Sequence, residues 1–179
     1  MSPRPLGYAA LVLFLASVPF ANWLIQHIGA VCVPSGPCLV PVAPGILAPS
    51  GVLAAGAALV LRDVVQRCLG IVWGVVAIVA GSALSALIAP PALVAASALA
   101  FMLSEAADLG VYTPLQRRRL VLAVALSAGV GLVVDSVVFL YLAFGSLEFL
   151  PGQVIGKAWA VLFSLPLIRW LRRVAPTPA

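Results

Sequence analysis

Apolar runs of roughly 20 residues, broken by short polar or proline- and glycine-bearing segments, recur along nearly the whole of this chain. A helix needs a run of that length to cross a bilayer core of about 30 Å. In lipid the backbone must satisfy its own hydrogen bonds, so the choice lies between helices and a closed barrel. The apolar–polar alternation of a barrel wall is absent. Composition agrees: 64% of the 179 residues are hydrophobic, 8% are charged and the mean hydropathy is +1.20. A soluble domain carries about a quarter charged residues. The chain therefore reads as an all-α, polytopic membrane protein.

The spacing predicts six transmembrane helices, at about residues 6–28, 49–67, 69–89, 91–112, 120–144 and 150–172, in one transmembrane domain spanning 1–179. Pro90 and Pro91 stop the third helix, and Gly70 separates it from the second. Orientation follows from the basic residues. With the N-terminus in the cytoplasm, Arg4, Arg67, the run Arg117, Arg118 and Arg119, and Arg169, Arg172 and Arg173 all fall inside, and the outer loops hold no Lys or Arg. That predicts an N-in, C-in, multi-pass protein of the inner (plasma) membrane. The first helix, with Arg4 before an apolar run, has the pattern of a retained signal-anchor rather than a cleaved leader. A net charge of +5 and a pI near 9.7 do not point to nucleic acid, because the positive charges sit at helix ends as topology signals.

The first outer loop, GAVCVPSGPCLVPVAPGILAPSG, is uncharged, apolar and rich in proline and glycine. It suggests a re-entrant or capping segment lying on the bundle, with an ordinary surface loop as the alternative. Cys32 and Cys38 lie on its oxidising side, either as a disulfide or as two free thiols.

Ionisable residues within spans cost about 2.5–3.5 kcal/mol each on insertion scales, so they mark pairs or functional sites. Here they are Arg62, Asp63, Glu105, Asp108, Asp135 and Lys157. Asp135 and Lys157 lie on helices joined by a short turn and differ in depth by about three residues, so a lysine stem reaches the acid. Such a pair either locks two helices or faces a polar cavity in the outer half. Ala123, Ser127, Gly131 and Asp135 form one stripe of fourth residues, and Gly152, Gly156, Ala160 and Ser164 form another, both suited to close helix contact. Ser104, Glu105, Asp108 and Tyr112 share one side of the fourth helix. Asp108 can also be read as an interfacial acid beside the arginine run. Arg62, Asp63, Gln66 and Arg67 make a comparable polar end on the second helix, with Arg62 the natural partner for a fourth-helix carboxylate. Polar residues thus converge from helices 2, 4, 5 and 6, the pattern of a permease. No nucleotide-binding GxxxxGK[ST] motif accompanies them.

The segments SEAADLGVYTPLQRR, VVDSVVFLYLAF and APSGVLAAGAALVLRDVVQRCLG resemble the VUT family, the queuosine precursor transporters, over roughly residues 41–172. The resemblance implies six helices and uptake of 7-deazaguanine precursors such as 7-cyano-7-deazaguanine. It carries site roles onto Asp63, Ser104, Glu105, Asp108, Tyr112, Asp135 and Ser136. Independently, a carboxylate can accept the ring N–H and exocyclic amine of a guanine-like edge. Glu105 and Asp135 are the candidates for that role, with Tyr112, Phe101 or Trp159 for stacking. The full set of candidate substrate-binding residues is Glu105, Asp135, Asp108, Asp63, Ser104, Tyr112, Ser136, Lys157, Arg62 and Gln66.

Two other function classes are open to such a chain. A substrate-binding subunit of an energy-coupling-factor vitamin transporter would present small residues on the first helix, where this chain has Leu11, Leu13, Phe14 and Leu15. An intramembrane enzyme would rest on the single histidine, His27, with no nucleophile beside it. The expectation is a non-enzyme without metal or cofactor, acting on a small purine-like molecule in the lipid bilayer, as a monomer or a homo-oligomer.

Overall fold

The computed structural model describes residues 4–34, 36–88 and 93–174, apart from the side chains of 172 and 174. Six helices form the body: α1 Arg4–His27, α2 Val52–Leu69, α3 Ile71–Ile88, α4 Val94–Leu115, α5 Leu120–Phe144 and α6 Leu150–Val174. Among the described residues, α1, α3, α4, α5 and α6 are long and apolar enough to cross a membrane. The protein is thus an all-α polytopic membrane protein, and its lipid-facing surface carries large apolar side chains such as Val12, Val72, Leu87 and Phe163.

The exception, α2, explains the architecture. Its 18 residues are long enough, at about 27 Å, but it carries Arg62, Asp63 and Arg67. It therefore cannot face lipid along that half. From Arg62 to Cys68 every residue of α2 is buried, with α1, α3, α4, α5 and α6 packed around the helix. The bundle is closed by α4 running along α5 and by α3 against α1 and α4.

The stripes of small residues lie where helices meet most closely. A methyl group on Gly131 would come within 2.9 Å of the Leu59 side chain and 3.2 Å of Asp108 Cβ. On Gly56 it would meet the Lys157 carbonyl at 2.8 Å and Ala160 Cβ at 2.9 Å. Such contacts bring the charged side chains of neighbouring helices within reach of one another.

The outer loop forms a three-stranded antiparallel meander: β1 Val31–Cys32, β2 Cys38–Ala43 and β3 Ile46–Pro49. Cys32 pairs with Cys38 across β1 and β2, and the two are joined by a disulfide. The sheet lies on α1 and α6 and is therefore a cap, not a re-entrant hairpin. An apolar segment at this level satisfies its backbone polar groups by pairing with itself. Ser50 Oγ donates to the Leu24 carbonyl (2.7 Å) and Trp159 Nε1 to the Val42 carbonyl (3.1 Å), pinning the sheet to the bundle.

Some boundaries differ from expectation. The second helix starts at Val52 rather than near Pro49, because Pro49 closes β3 opposite Leu39. It runs two residues past Arg67, and Gly70, at φ 98°, makes the turn into α3. The fourth helix continues to Leu115, with Pro114 in its last turn. The Pro90-Pro91 stop lies outside the described residues.

Arg4, Arg67, the Arg117–Arg119 turn, Arg169 and Arg173 all gather at the end of the bundle opposite the sheet. The two ends are called the arginine end and the sheet end below.

The close α2–α6 crossing yields a test. Gly56→Val should lower the midpoint of thermal unfolding in detergent by the equivalent of about 1–3 kcal/mol, the usual cost of overpacking. Gly110→Ala, where the added methyl meets nothing within 4 Å, should leave it unchanged.

Candidate functional site

Two polar assemblies occupy the middle of the bundle, one above the other. The deeper is built on Arg62, which is fully buried. Its Nε donates to Glu105 Oε2 at 3.1 Å and its Nη1 to Gln66 Oε1 at 2.9 Å. Nη2 contacts Asp108 Oδ1 and also lies 3.0 Å from Asp63 Oδ1. The Asp63 approach is off the N–H direction, so it supplies charge contact without a hydrogen bond. Below, the Arg62 guanidinium sits 5.5 Å from the centre of the Tyr112 ring. Tyr112 is itself fully buried and donates to the Asp63 carbonyl at 3.2 Å. Ser127 Oγ donates to Asp63 Oδ2 at 3.3 Å, and Gln66 Nε2 to Thr113 Oγ1 at 3.1 Å. A guanidinium is suited to this place, because its planar fork reaches several acceptors at once.

The upper assembly joins α5 and α6. Lys157 Nζ donates to Asp135 Oδ2 (2.5 Å) and to Ser136 Oγ (2.9 Å). Ser136 Oγ in turn donates to the Leu132 carbonyl (2.6 Å). The lysine is buried while the Asp135 side chain is 20% exposed. Ser104 Oγ, 3.5 Å from Asp135 Oδ1, links this pair to the helix turn that carries Glu105.

The exposed side of Asp135 faces a cavity of about 100 Å³ toward the sheet end. One buried water needs about 10–15 Å³, so the space holds several waters or a small ring. Asp135 and Lys157 are at its floor with Phe101 and Phe139, and Asn22, Ser97 and Gln153 supply polar groups higher up. Phe101 also packs on Phe14, ring centres 5.7 Å apart. Asn22 Nδ2 donates to the Val18 carbonyl, which leaves its amide oxygen and one N–H for a ligand.

All ten candidate residues therefore fall into one connected polar system, but they divide by level. Only Asp135 and Lys157 line the cavity. Arg62, Asp63, Gln66, Glu105, Asp108 and Tyr112 form the sealed network beneath it, with Ser104 and Ser136 at the junction. Asp108 is fully buried against Arg62 and is not an interfacial acid. Of the three aromatics considered for stacking, Phe101 reaches the cavity. Trp159 lies on an outer groove with Phe163, and Tyr112 lies under Arg62. Asn22, Ser97, Phe139 and Gln153 were not legible from charge. Gln153 had one usable signal: it precedes Lys157 by one helical turn and so shares its face.

Removing Arg62 should be costly in itself. Arg62→Met leaves the buried acids Asp63, Glu105 and Asp108 without their cation and should destabilise the fold by about 3–5 kcal/mol. Arg62→Lys should recover only part, since one ammonium cannot hold the same acceptors in a planar fork. Thermal unfolding of the purified variants in detergent measures both.

The comparison with known families bears on the same half of the molecule. Residues 53–179 match the model of a family described as "Putative vitamin uptake transporter". The matched span starts in the first turn of α2 and takes in the whole Arg62 network and the Asp135–Lys157 pair. No curated protein and no solved structure matches the chain. With most of its length inside that family model, this multi-pass membrane protein belongs to the vitamin uptake transporter family.

Proposed function

We propose that the protein takes up a purine-like queuosine precursor, 7-cyano-7-deazaguanine or a related 7-deazapurine, through the cavity at the sheet end. The carrying observation is the cavity lining, which joins a partly exposed carboxylate, Asp135, with two phenylalanines, Phe101 and Phe139. A planar heterocycle with a ring N–H and an exocyclic amine matches such a lining. The carboxylate accepts both donors, and the rings supply flat apolar contact. The side-chain amides of Asn22 and Gln153, which also line the cavity, supply further donors and acceptors for the ring. Lys157 neutralises Asp135 and fixes its orientation, so the site carries no net charge and suits a neutral base. The family supports uptake of a small molecule; the 7-deazapurine rests on this chemistry and on the motif resemblance. No step in this reading makes or breaks a covalent bond, and none calls on a cofactor.

On this reading the sheet end faces out of the cell and both termini face the cytoplasm across the inner membrane. The gathering of basic residues at the opposite end supports that orientation. So does the disulfide at the sheet end, since disulfides persist in oxidising compartments.

Binding to the purified protein tests the substrate and the floor together. 7-Cyano-7-deazaguanine and its aminomethyl analogue should bind with guanine clearly weaker. Asp135→Asn should weaken binding about 10–100-fold, the loss of about 1.5–3 kcal/mol carried by a hydrogen bond to a charged group. Equal binding by Asp135→Asn, or no binding of either deazapurine, would refute the assignment. Accumulation in liposomes containing this protein alone distinguishes a self-sufficient transporter from a subunit that needs an energising partner.

A further inference from the structure

The lower network holds more negative charge than its cation offsets. Asp63, Glu105 and Asp108 all contact the one guanidinium of Arg62, and ionising all three would leave a formal charge of −2 in a buried site. Among the described residues no salt bridge brings a second cation to these three acids. On α6 Lys157 is committed to Asp135 of α5, and on α2 Arg67 reaches the Gln116 carbonyl at the arginine end. Against α2 and α4, helices α1 and α3 bring no charged side chain to this level.

Hydrogen-bond balance locates the shortfall. Two fully buried carboxylate oxygens, Asp63 Oδ1 and Asp108 Oδ2, have no donor. The two carboxyl groups meet at the same guanidinium nitrogen, Arg62 Nη2, which brings them together at the centre of the cluster. Two ionised carboxylates offer four acceptor oxygens and no hydrogen between them. One added proton makes one group a donor to the other and removes a unit of buried charge at once. The guanidinium already fills the centre of the cluster, which excludes a metal cation from that position.

We infer that Asp63 and Asp108 together bind one proton, and that this proton is the co-transported ion of the carrier. The second half rests on the uptake reading above. The coupling is mechanical. Ala55 and Ala58 of α2 line the cavity together with Ser97 and Phe101 of α4, and the Arg62 cluster clasps the same two helices beneath it. Loss of the proton leaves two full carboxylates competing for one guanidinium nitrogen and loosens the clasp. Ser104, between Asp135 and the turn bearing Glu105, is the hydroxyl at the junction of cavity and cluster.

The test separates the proton from the substrate. Infrared difference spectra of the purified protein, titrated over pH 5–8, should show a carboxylic-acid carbonyl band that shifts in heavy water. Asp63→Asn places an amide N–H where the proton sits, so the band should vanish while thermal stability stays at the wild-type level. In proteoliposomes an inward proton gradient should raise wild-type accumulation of 7-cyano-7-deazaguanine at least several-fold. Asp63→Asn and Asp108→Asn should still bind it but lose that stimulation. A missing band in the wild type, or gradient-driven accumulation intact in both variants, overturns the proposal. A gradient without effect on a wild type that binds and exchanges substrate also overturns it. If the deazapurine does not bind at all, the failure belongs to the substrate reading, and the band still decides whether the pair holds a proton.

Discussion

One guanidinium in the middle of a membrane-embedded bundle sets the terms for the rest of this structure. Arg62 cannot face lipid, so α2 must be surrounded over its lower half, and the surrounding helices must bring acceptors. They bring Glu105 and Asp108 from α4, while Asp63 and Gln66 come from α2 itself. Close approach requires small residues at the crossings, and Gly56 and Gly131 provide it. A charged pair or cluster of this kind adds little net stability compared with a well-packed apolar core, yet breaking it is expensive. That asymmetry makes it a device for specifying one arrangement of helices rather than for strengthening all of them.

The polar system is layered. Asp135 and Lys157 form a neutral pair open to a cavity, and the Arg62 cluster beneath is closed to solvent on all sides. A ligand site needs some access and a coupling site needs isolation, so the division of exposure suits the two roles proposed for these levels. Tyr112 closes the lower face of the cluster, and the Arg67 contact with the end of α4 lies nearer the arginine end. Among the described residues, the cavity thus lies toward the sheet, and the buried Arg62 cluster lies between it and the arginine end.

Much of this was legible in the sequence, for definite reasons. Runs of span length and the cost of charge in lipid gave the six helices and singled out the residues of the network. The Lys157–Asp135 contact followed from depth alone, because a short turn forces neighbouring helices to run antiparallel. The sheet was not legible: its strands are short, and prolines at 37, 41, 44 and 49 disguise the pairing. The levels were not legible either. Glu105 and Asp135 look equivalent as intramembrane acids, but which one meets a cavity depends on helix rotation and on the open space beside Phe101 and Phe139. The uncharged cavity residues Asn22 and Gln153 escaped because one amide in an apolar helix costs far less than a charge and so stands out less.

The enclosure of α2 also bears on how the chain enters the bilayer. Arg62 and Asp63 each oppose insertion by roughly 2.5–3.5 kcal/mol at a helix centre, and Arg67 adds charge nearer the end. The acceptors that relieve Arg62 lie 43 and 46 residues further along the chain. While α3 is being made, the Arg62 guanidinium has only Asp63 and Gln66 of its own helix, and α4's carboxylates are still to come. The second helix is therefore synthesised well before its full set of charge partners exists, and its final depth waits on the arrival of α4.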